Sequence, residues 1–398
     1  MNICIINHRE NNPYIGGVER ASYTLGEQWH SNGHNVIFLS ARKSSIHKKY
    51  STHCKEFFLP DCNTILSKEN IDFAIDLFNK NNIKVIINQC SVFHEICIFC
   101  KKIKSAYKKG ILITTLHYAP LCELAGIENN FFIKEKMFGW KSWIINSILY
   151  LKYYLYKKKM LIIKESKHLK EIASYSDAVV CLSHNFIKKY KYLLGSQGKN
   201  KLFVIANPFE SNTNMDIPPK KKQILYCGRL EFGLKRVDRL IHIWEKTEHL
   251  FPEWSLYIVG DGGARPILEK MVKDKHLQRV HFEKFQCPDQ YYNESSIICL
   301  TSSSEGFGLV LIEALARKCV PIAYNSFDSL SDIIKDGING YTVPAFNEKN
   351  YIKKLHTLMS DSLLLEEMRK HNQITLSQFQ IEHIANKWIN LIDNLTKN

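Results

Sequence analysis

The chain has 398 residues, 45% hydrophobic and 23% charged, with 54 Lys and Arg against 39 Asp and Glu for a formal net charge of +15. This composition excludes a disordered or fibrous chain, and the length exceeds a usual single core, so two domains are expected. Twelve Cys are spaced irregularly, which argues against a secreted disulfide framework. Cys97 and Cys100 form one C-x-x-C with no second pair to complete a zinc ribbon, so core thiols in a reducing cytoplasm are expected, with a metal or redox role as the alternative.

From the start of the chain, Met1-Asn-Ile-Cys-Ile-Ile-Asn reads as a first β-strand, since it lacks the charged region and long apolar core of a secretory signal. Candidate strands of a first half are Ile3–Asn7, Asn35–Leu39, Val85–Asn88, Ile111–Leu116, Ala178–Leu182 and Phe203–Ile205. Trp140 to Lys164 comes nearest to a membrane span but is cut by Lys141, Lys152 and Lys157–Lys159, short of the roughly 18 apolar residues required. Candidate strands of a second half are Ile224–Cys227, Ser255–Val259, Val280–Phe282, Ile297–Leu300 and Val320–Ala323. Alternation of these runs with helical patterns predicts two doubly wound parallel sheets. The expected division is an N-terminal domain over 1–207, a polar, Pro-rich linker over 208–222, a second domain over 223–375, and a C-terminal helix over 376–398. That last helix carries Ile381, Ile384, Ala385, Trp388, Leu391, Ile392 and Leu395 on one face, fit to cap its own domain or cross back to the first.

Ligands of such sheets bind beyond the carboxyl ends of the strands, here in a cleft expected between the two domains. Gly16-Gly17 precedes a helix beginning near Val18, and allows close backbone approach with free N–H groups; a plain turn is the alternative. His117 directly follows Ile111–Leu116 and is placed for ligand contact or for a structural hydrogen bond. Gly228-Arg229 follows the first strand of the second half, with Lys235 six residues later. Arg229 offers a planar fork and Lys235 a mobile point charge to phosphate oxygens; simply solvated surface cations are the alternative. Gly260-Asp261-Gly262-Gly263 supplies a flexible loop at the same edge. In Ile297–Lys318 a buried strand, a small-residue turn and a helix carry Glu305 and Glu313 eight apart. Eight helical residues span about 12 Å, whereas glycosidase carboxyls lie roughly 5–9.5 Å apart. One Glu on each of two parts of a ligand fits better than a hydrolytic pair, with a solvated helix face as the alternative.

Taken together, GGVER (Gly16–Arg20), His117, Asn207-Pro208, GRL with a downstream Lys (Gly228–Leu230, Lys235), VGDG (Val259–Gly262) and EGFGLVLIE (Glu305–Glu313) resemble the family-4 retaining glycosyltransferases of the GT-B fold. The resemblance covers nearly the whole chain, and the E-x7-E segment is its specific part. It implies two Rossmann-like domains facing a central cleft, the first (1–207) acceptor-binding and the second (223–375) nucleotide-sugar-binding, with the C-terminal helix crossing back to the first. By resemblance, Gly16 and Gly17 lie near the donor's distal phosphate and the acceptor, while Arg229 and Lys235 hold the diphosphate. Backbone groups at Phe307, Gly308 and Leu309 assist at phosphates and sugar. Glu305 meets sugar hydroxyls, Glu313 ribose hydroxyls, and His117 the transferred sugar. The catalytic set implied is Arg229, Lys235, Glu305 and His117. No dedicated base is expected, because the departing phosphate helps deprotonate the acceptor. Two departures stand out: Phe282-Glu283-Lys284 replaces the frequent F-x-G near the base, and Asn325-Ser326-Phe327-Asp328 replaces a frequent Gly pair.

No Asp-x-Asp occurs in the chain, and no required metal or other cofactor is expected, since cationic side chains and helix N-termini can take the cation's place. Residues 101–170 hold fifteen Lys against Glu123, Glu128, Glu135 and Glu165, interleaved with Trp140, Trp143, Tyr150, Tyr153, Tyr154 and Tyr156. Lysine with interfacial aromatics suits an anionic bilayer; an ordinary solvated Lys face is the alternative. No recognition motif accompanies the charge, so no nucleic-acid partner is expected. The expected protein is peripheral on the cytoplasmic face of the cell membrane. It moves a hexose or N-acetylhexosamine from a nucleotide sugar, a UDP-sugar foremost, to a polyprenyl-diphosphate-linked or surface-polysaccharide glycan of the lipopolysaccharide, O-antigen or capsule kind. The rival readings are a nucleotide-sugar epimerase on the same fold and a non-enzymatic basic membrane or nucleic-acid adaptor.

Overall fold

A computed structural model of the chain describes residues 1–44, 50–124, 140–196, 198–210, 217–284 and 288–397, without the side chains of 140–150 and 373. The chain divides into two compact units. The first comprises Met1–Pro120, Ile163–Ser211 and Gln378–Asn398; the second comprises Leu121–Ile162 and Asn212–Ser377.

The first unit is built on seven strands: β1 (Asn2–Arg9), β2 (Asn35–Arg42), β3 (Lys55–Phe58), β4 (Val85–Asn88), β5 (Ile111–Leu116), β6 (Ala178–Cys181) and β7 (Leu202–Val204). All neighbours are parallel, in the order β3-β2-β1-β4-β5-β6-β7. The second unit has six strands: β8 (Lys221–Cys227), β9 (Ser255–Val259), β10 (Val280–Glu283), β11 (Ser295–Leu300), β12 (Val320–Asn325) and β13 (Tyr341–Pro344). Its order is β10-β9-β8-β11-β12-β13, again all parallel. Central strands such as Val85–Asn88 and Ser295–Leu300 are buried along their whole length, which is why they read as unbroken apolar or small-residue runs. Chain order reverses between β1 and β4 in one sheet and between β8 and β11 in the other. Those reversals are the points at which such sheets receive ligands.

The sequence reading did not include β3 and β13. Both are four-residue edge strands, partly exposed, and β13 ends in Pro344. Short edge strands need no apolar run, and Pro is tolerated there.

The C-terminal helix Ile381–Lys397 belongs to the first unit. Its buried Ile381, Ile384, Ala385, Trp388, Leu391 and Ile392 join Ile3, Ile5, Val36, Phe38, Val85 and Ile87 in one core. Trp388 meets Trp29 of the helix Gly17–Ser31 edge to face, with ring centroids 6.2 Å apart. Just before it, Phe209 N–H donates to the Phe379 carbonyl at 2.7 Å, securing the chain on its return to this unit.

Cys97 and Cys100 are buried free thiols, and burial pushes Cys97 up to about 11. The helix Trp140–Tyr175 runs for 36 residues and exposes Leu151, Tyr153, Leu155, Tyr156 and Met160. Among the described residues no helix is long and apolar enough to cross a membrane. Glu128, Glu135 and the side chains of Trp140, Trp143 and Tyr150 lie outside the described set, as does the part of the expected linker over 211–216.

Candidate active site

In the second unit the loops after β8 and β9 are joined by backbone hydrogen bonds. Gly228 N–H donates to the Val259 carbonyl at 3.0 Å, and Leu230 N–H to the Asp261 carbonyl at 2.9 Å. Gly260 sits at φ +149°, where a Cβ would lie 1.9 Å from the Gly228 carbonyl oxygen. Gly262, at φ +155°, would bring a Cβ within 2.3 Å of the Leu230 carbonyl oxygen. Only glycine permits both the dihedral and the approach. The VGDG segment thus acts as a backbone brace for the GRL segment. Arg229 projects from that braced loop with its side chain 73% exposed, 3.7 Å from the Glu231 carboxylate.

The next residues turn back toward β11. Arg236, in the left-handed region at φ 50°, closes the turn, and its carbonyl accepts from the Thr301 hydroxyl at 2.9 Å. Ser303 N–H donates to the Leu234 carbonyl at 2.6 Å. These bonds hold Lys235 over the turn that follows β11, where its Nζ lies 2.7 Å from both oxygens of Glu305. The Ser302 hydroxyl donates to the same carboxylate at 2.6 Å. Arg239 supports the turn from behind, reaching the Ser303 hydroxyl at 3.2 Å and stacking its guanidinium 3.8 Å from the Phe346 ring centroid.

Glu313 lies elsewhere on the same segment and has a different partner. Its buried carboxylate accepts from the Tyr292 hydroxyl at 2.8 Å. Between the two acids, Phe307 is buried and its carbonyl accepts from Ser329. Gly308 takes φ +94° to open the helix Leu309–Ala316, whose N-terminus has no side-chain cap. An uncapped helix start has free N–H groups and a partial positive charge. Within this unit, Arg229 and Lys235 lie on the segment after β8, while Glu305, Phe307, Gly308, Leu309 and Glu313 lie on the turn and helix after β11, the two strands that flank the reversal.

In the first unit Gly16 caps the helix Gly17–Ser31 in extended backbone, again with no side-chain cap. The Glu19 carboxylate leans over Gly16, 2.7 Å from where a Cβ would stand. His117, at the end of β5, is half-buried, with Nε2 2.6 Å from Gln89 Oε1 beyond the end of β4. Burial lowers its pKa to about 4, so the imidazole is neutral at physiological pH and can exchange hydrogen bonds with hydroxyls.

Sequence reasoning missed the partners Ser302, Tyr292, Gln89 and Arg239. Gln89 directly follows a strand, a signal that could have found it. Tyr292 and Arg239 are separated from their partners by 21 and 64 residues, and no local pattern marks them. In sum, the second unit offers cations and free N–H groups suited to a diphosphate, with carboxylates suited to hydroxyl donors.

Residues 210–374 match the family glycosyl transferases group 1. A relative from Campylobacter jejuni is the GalNAc-alpha-(1->4)-GalNAc-alpha-(1->3)-diNAcBac-PP-undecaprenol alpha-1,4-N-acetyl-D-galactosaminyltransferase. It is 27% identical over 207 residues, 52% of this chain and 55% of its own length. The chain spans about half the length of the first curated relatives it matches. Among solved structures, the lipopolysaccharide outer core galactosyltransferase WaaB aligns with TM-score 0.69 at 19% identity over 99% of both chains. Anabaena HepE in complex with UDP and glucose aligns with TM-score 0.73 at 13% identity over 98% of this chain and 99% of its own. The fold is GT-B, with two Rossmann-like units.

Proposed function

We propose that the chain is a family-4 retaining glycosyltransferase. It moves a hexosyl or N-acetylhexosaminyl unit from a UDP-sugar to a lipid-linked or surface-polysaccharide acceptor of the lipopolysaccharide, O-antigen or capsule kind. The observation that carries this reading is the set of groups at the β8/β11 reversal, where Lys235 pairs with Glu305, Ser302 holds the Glu305 carboxylate, and Arg229 and an uncapped helix start lie on the segments that follow the two strands. In this reading Arg229 and Lys235 stabilise charge on the leaving diphosphate. Glu305 accepts from sugar hydroxyls, Glu313 from ribose hydroxyls, and neutral His117 contacts the transferred sugar. The departing phosphate takes up the acceptor proton, so no separate base is assigned. The family match over residues 210–374 and the names of the relatives support the transferase class.

The test is a screen of UDP- and GDP-sugars by ligand-observed NMR, followed by turnover of the hit with lipid-linked acceptors. Nucleotide release that requires acceptor, with the anomeric configuration of the donor kept in the product, is expected. Conversion of the nucleotide sugar to its epimer without acceptor and without net nucleotide release would favour an epimerase, and inversion would remove the retaining mechanism. The cationic side chains and helix start take the place of a metal in this proposal. Loss of transfer on exhaustive chelation, restored by magnesium, would overturn that part. Peripheral attachment to the cytoplasmic face of an anionic membrane is proposed from the exposed Leu151, Tyr153, Leu155 and Tyr156 among Lys152 and Lys157–Lys159. Vesicle sedimentation should rise with anionic lipid content, and indifference to it would count against attachment.

A further inference from the structure

The carboxyl edge of the first sheet carries a charge arrangement that the proposed donor site does not use. Arg9 ends β1 and Arg42 ends β2, and the two are register partners across the parallel pair. Partners in register point to the same face of a sheet, on strands about 4.8 Å apart. Both side chains are exposed, and neither has an ion-pair or hydrogen-bond partner among the described residues. Two nearby carboxylates are committed to other groups. Glu10 accepts from Ser44 N–H at 3.2 Å, while Glu56 accepts from the Tyr50 hydroxyl at 2.7 Å and the Ser40 hydroxyl at 2.9 Å. Two cations on neighbouring strands repel, and an anion between them would offset that repulsion.

The neighbouring surface is also set up for contact. His8 stacks on Phe93 with ring centroids 3.9 Å apart and planes 7° apart. Phe93 and Val92 are 42% and 61% exposed. His8 Nδ1 is buried with no hydrogen-bond partner among the described residues. Burial, then the charges of Arg42 and Arg9, hold its ring below the ordinary imidazole value despite Glu95, consistent with an electropositive edge. The same edge leads to Gly16 and to Gln89.

We propose that Arg9 and Arg42 form a subsite for a phosphate or diphosphate group of the acceptor, whose adjoining apolar part rests on Val92 and Phe93. Paired guanidinium forks match phosphate oxygens bidentately, which Lys would do only as a point charge. The proposal rests on the first unit being the acceptor side of the transferase. It narrows the acceptor class to molecules that join a phosphate or diphosphate to an apolar part, that is, a lipid diphosphate.

Calorimetric titration of the full chain, saturated with UDP to block the donor site, tests it with two probes. Citronellyl diphosphate stands for the lipid source and sn-glycerol 3-phosphate for the polymer source. The wild type should bind citronellyl diphosphate, and more tightly than sn-glycerol 3-phosphate, which has no apolar part. The variant Arg9→Ala/Arg42→Ala should bind citronellyl diphosphate at least about tenfold more weakly, the scale of lost charge-assisted hydrogen bonds. Arg9→Lys/Arg42→Lys should recover part of the affinity, and UDP affinity should be equal in all three. Undiminished probe binding by the Ala variant, or a wild type that does not bind citronellyl diphosphate or prefers sn-glycerol 3-phosphate, overturns the proposal. Absence of UDP binding in the wild type would strike the transferase reading instead, and the phosphate titration without UDP would still decide this subsite.

Discussion

Lys235 and Glu305 form a two-pronged ion pair, with Nζ 2.7 Å from each carboxylate oxygen and the Ser302 hydroxyl on one of them. The carboxylate side chain is 9% exposed and the lysine 20%. Removing the cation alone therefore leaves a nearly buried carboxylate with little compensation. Lys235→Ala should lose about 1–3 kcal/mol of stability, while Lys235→Met with Glu305→Gln should recover much of it, because no lone charge remains. Urea unfolding of the singles and the double gives the coupling, expected at about 0.5–3 kcal/mol. Additive effects would mean that the pair is solvated and contributes nothing measurable. UDP titration of the same variants separates this structural role from a donor-binding one.

Gly260 supports the GRL loop through a contact that no side chain can share. A Cβ there would stand 1.9 Å from the Gly228 carbonyl oxygen at a φ of +149°. Gly33 also has a positive φ, +80°, yet a Cβ there meets nothing within 4 Å. Gly33→Ala should cost about 1–2 kcal/mol, the backbone penalty alone. Gly260→Ala adds a backbone clash and should cost about 3 kcal/mol or more, with weaker nucleotide binding as Arg229 is displaced. Equal denaturation midpoints for the two variants would show that the loop relaxes without strain.

Much of this architecture is legible because buried parallel strands carry their own signature. Val85–Asn88, Ile111–Leu116 and Ser255–Val259 have the bounds read from their apolar runs. Lys55–Phe58 and Tyr341–Pro344 escape that reading because edge strands are half solvated and draw their pairing from a neighbour. The glycines announce where backbones approach, but they do not say which backbone; that Gly260 faces Gly228 depends on β8 and β9 being adjacent. Likewise the E-x7-E spacing implies separate tasks for its acids, whereas Tyr292 as the Glu313 partner requires the fold. The pairing of Lys235 with Glu305 spans 70 residues, and only the β8/β11 adjacency brings them together.

The return of the C-terminal helix makes the first unit depend on the last residues of the chain. Trp388 is 2% exposed and packs on Trp29, itself fully buried, within the core beneath β1, β2 and β4. Trp388→Ala should cost about 3–5 kcal/mol, as large buried aromatics do. Hydrogen exchange gives the more telling readout. Amides of β1 and β2 should lose protection, while those of β8 and β11 in the other unit keep theirs. Uniform loss across both sheets would mean that the two units unfold as one.

His117 supplies a pH dependence whose sign follows from its burial. Desolvation lowers the imidazole from its ordinary 6.5 to about 4, so the unfolded chain takes up a proton in that window that the folded chain does not. Stability rises with pH wherever the unfolded state binds more protons. The contribution of neutral His117 is therefore complete above about 6.5 and is lost progressively as pH falls toward 4. His8, His34 and His356 are also lowered, each chiefly by burial, so the wild-type slope is a sum. Comparison with His117→Gln isolates one member: the variant should lose less stability than the wild type between pH 6.5 and 4. NMR of the ring nitrogens should show no protonation of His117 until the lower limit. Titration near 6.5, or parallel stability curves for the two proteins, would mean that water reaches the ring and that its contact with Gln89 does not enforce neutrality.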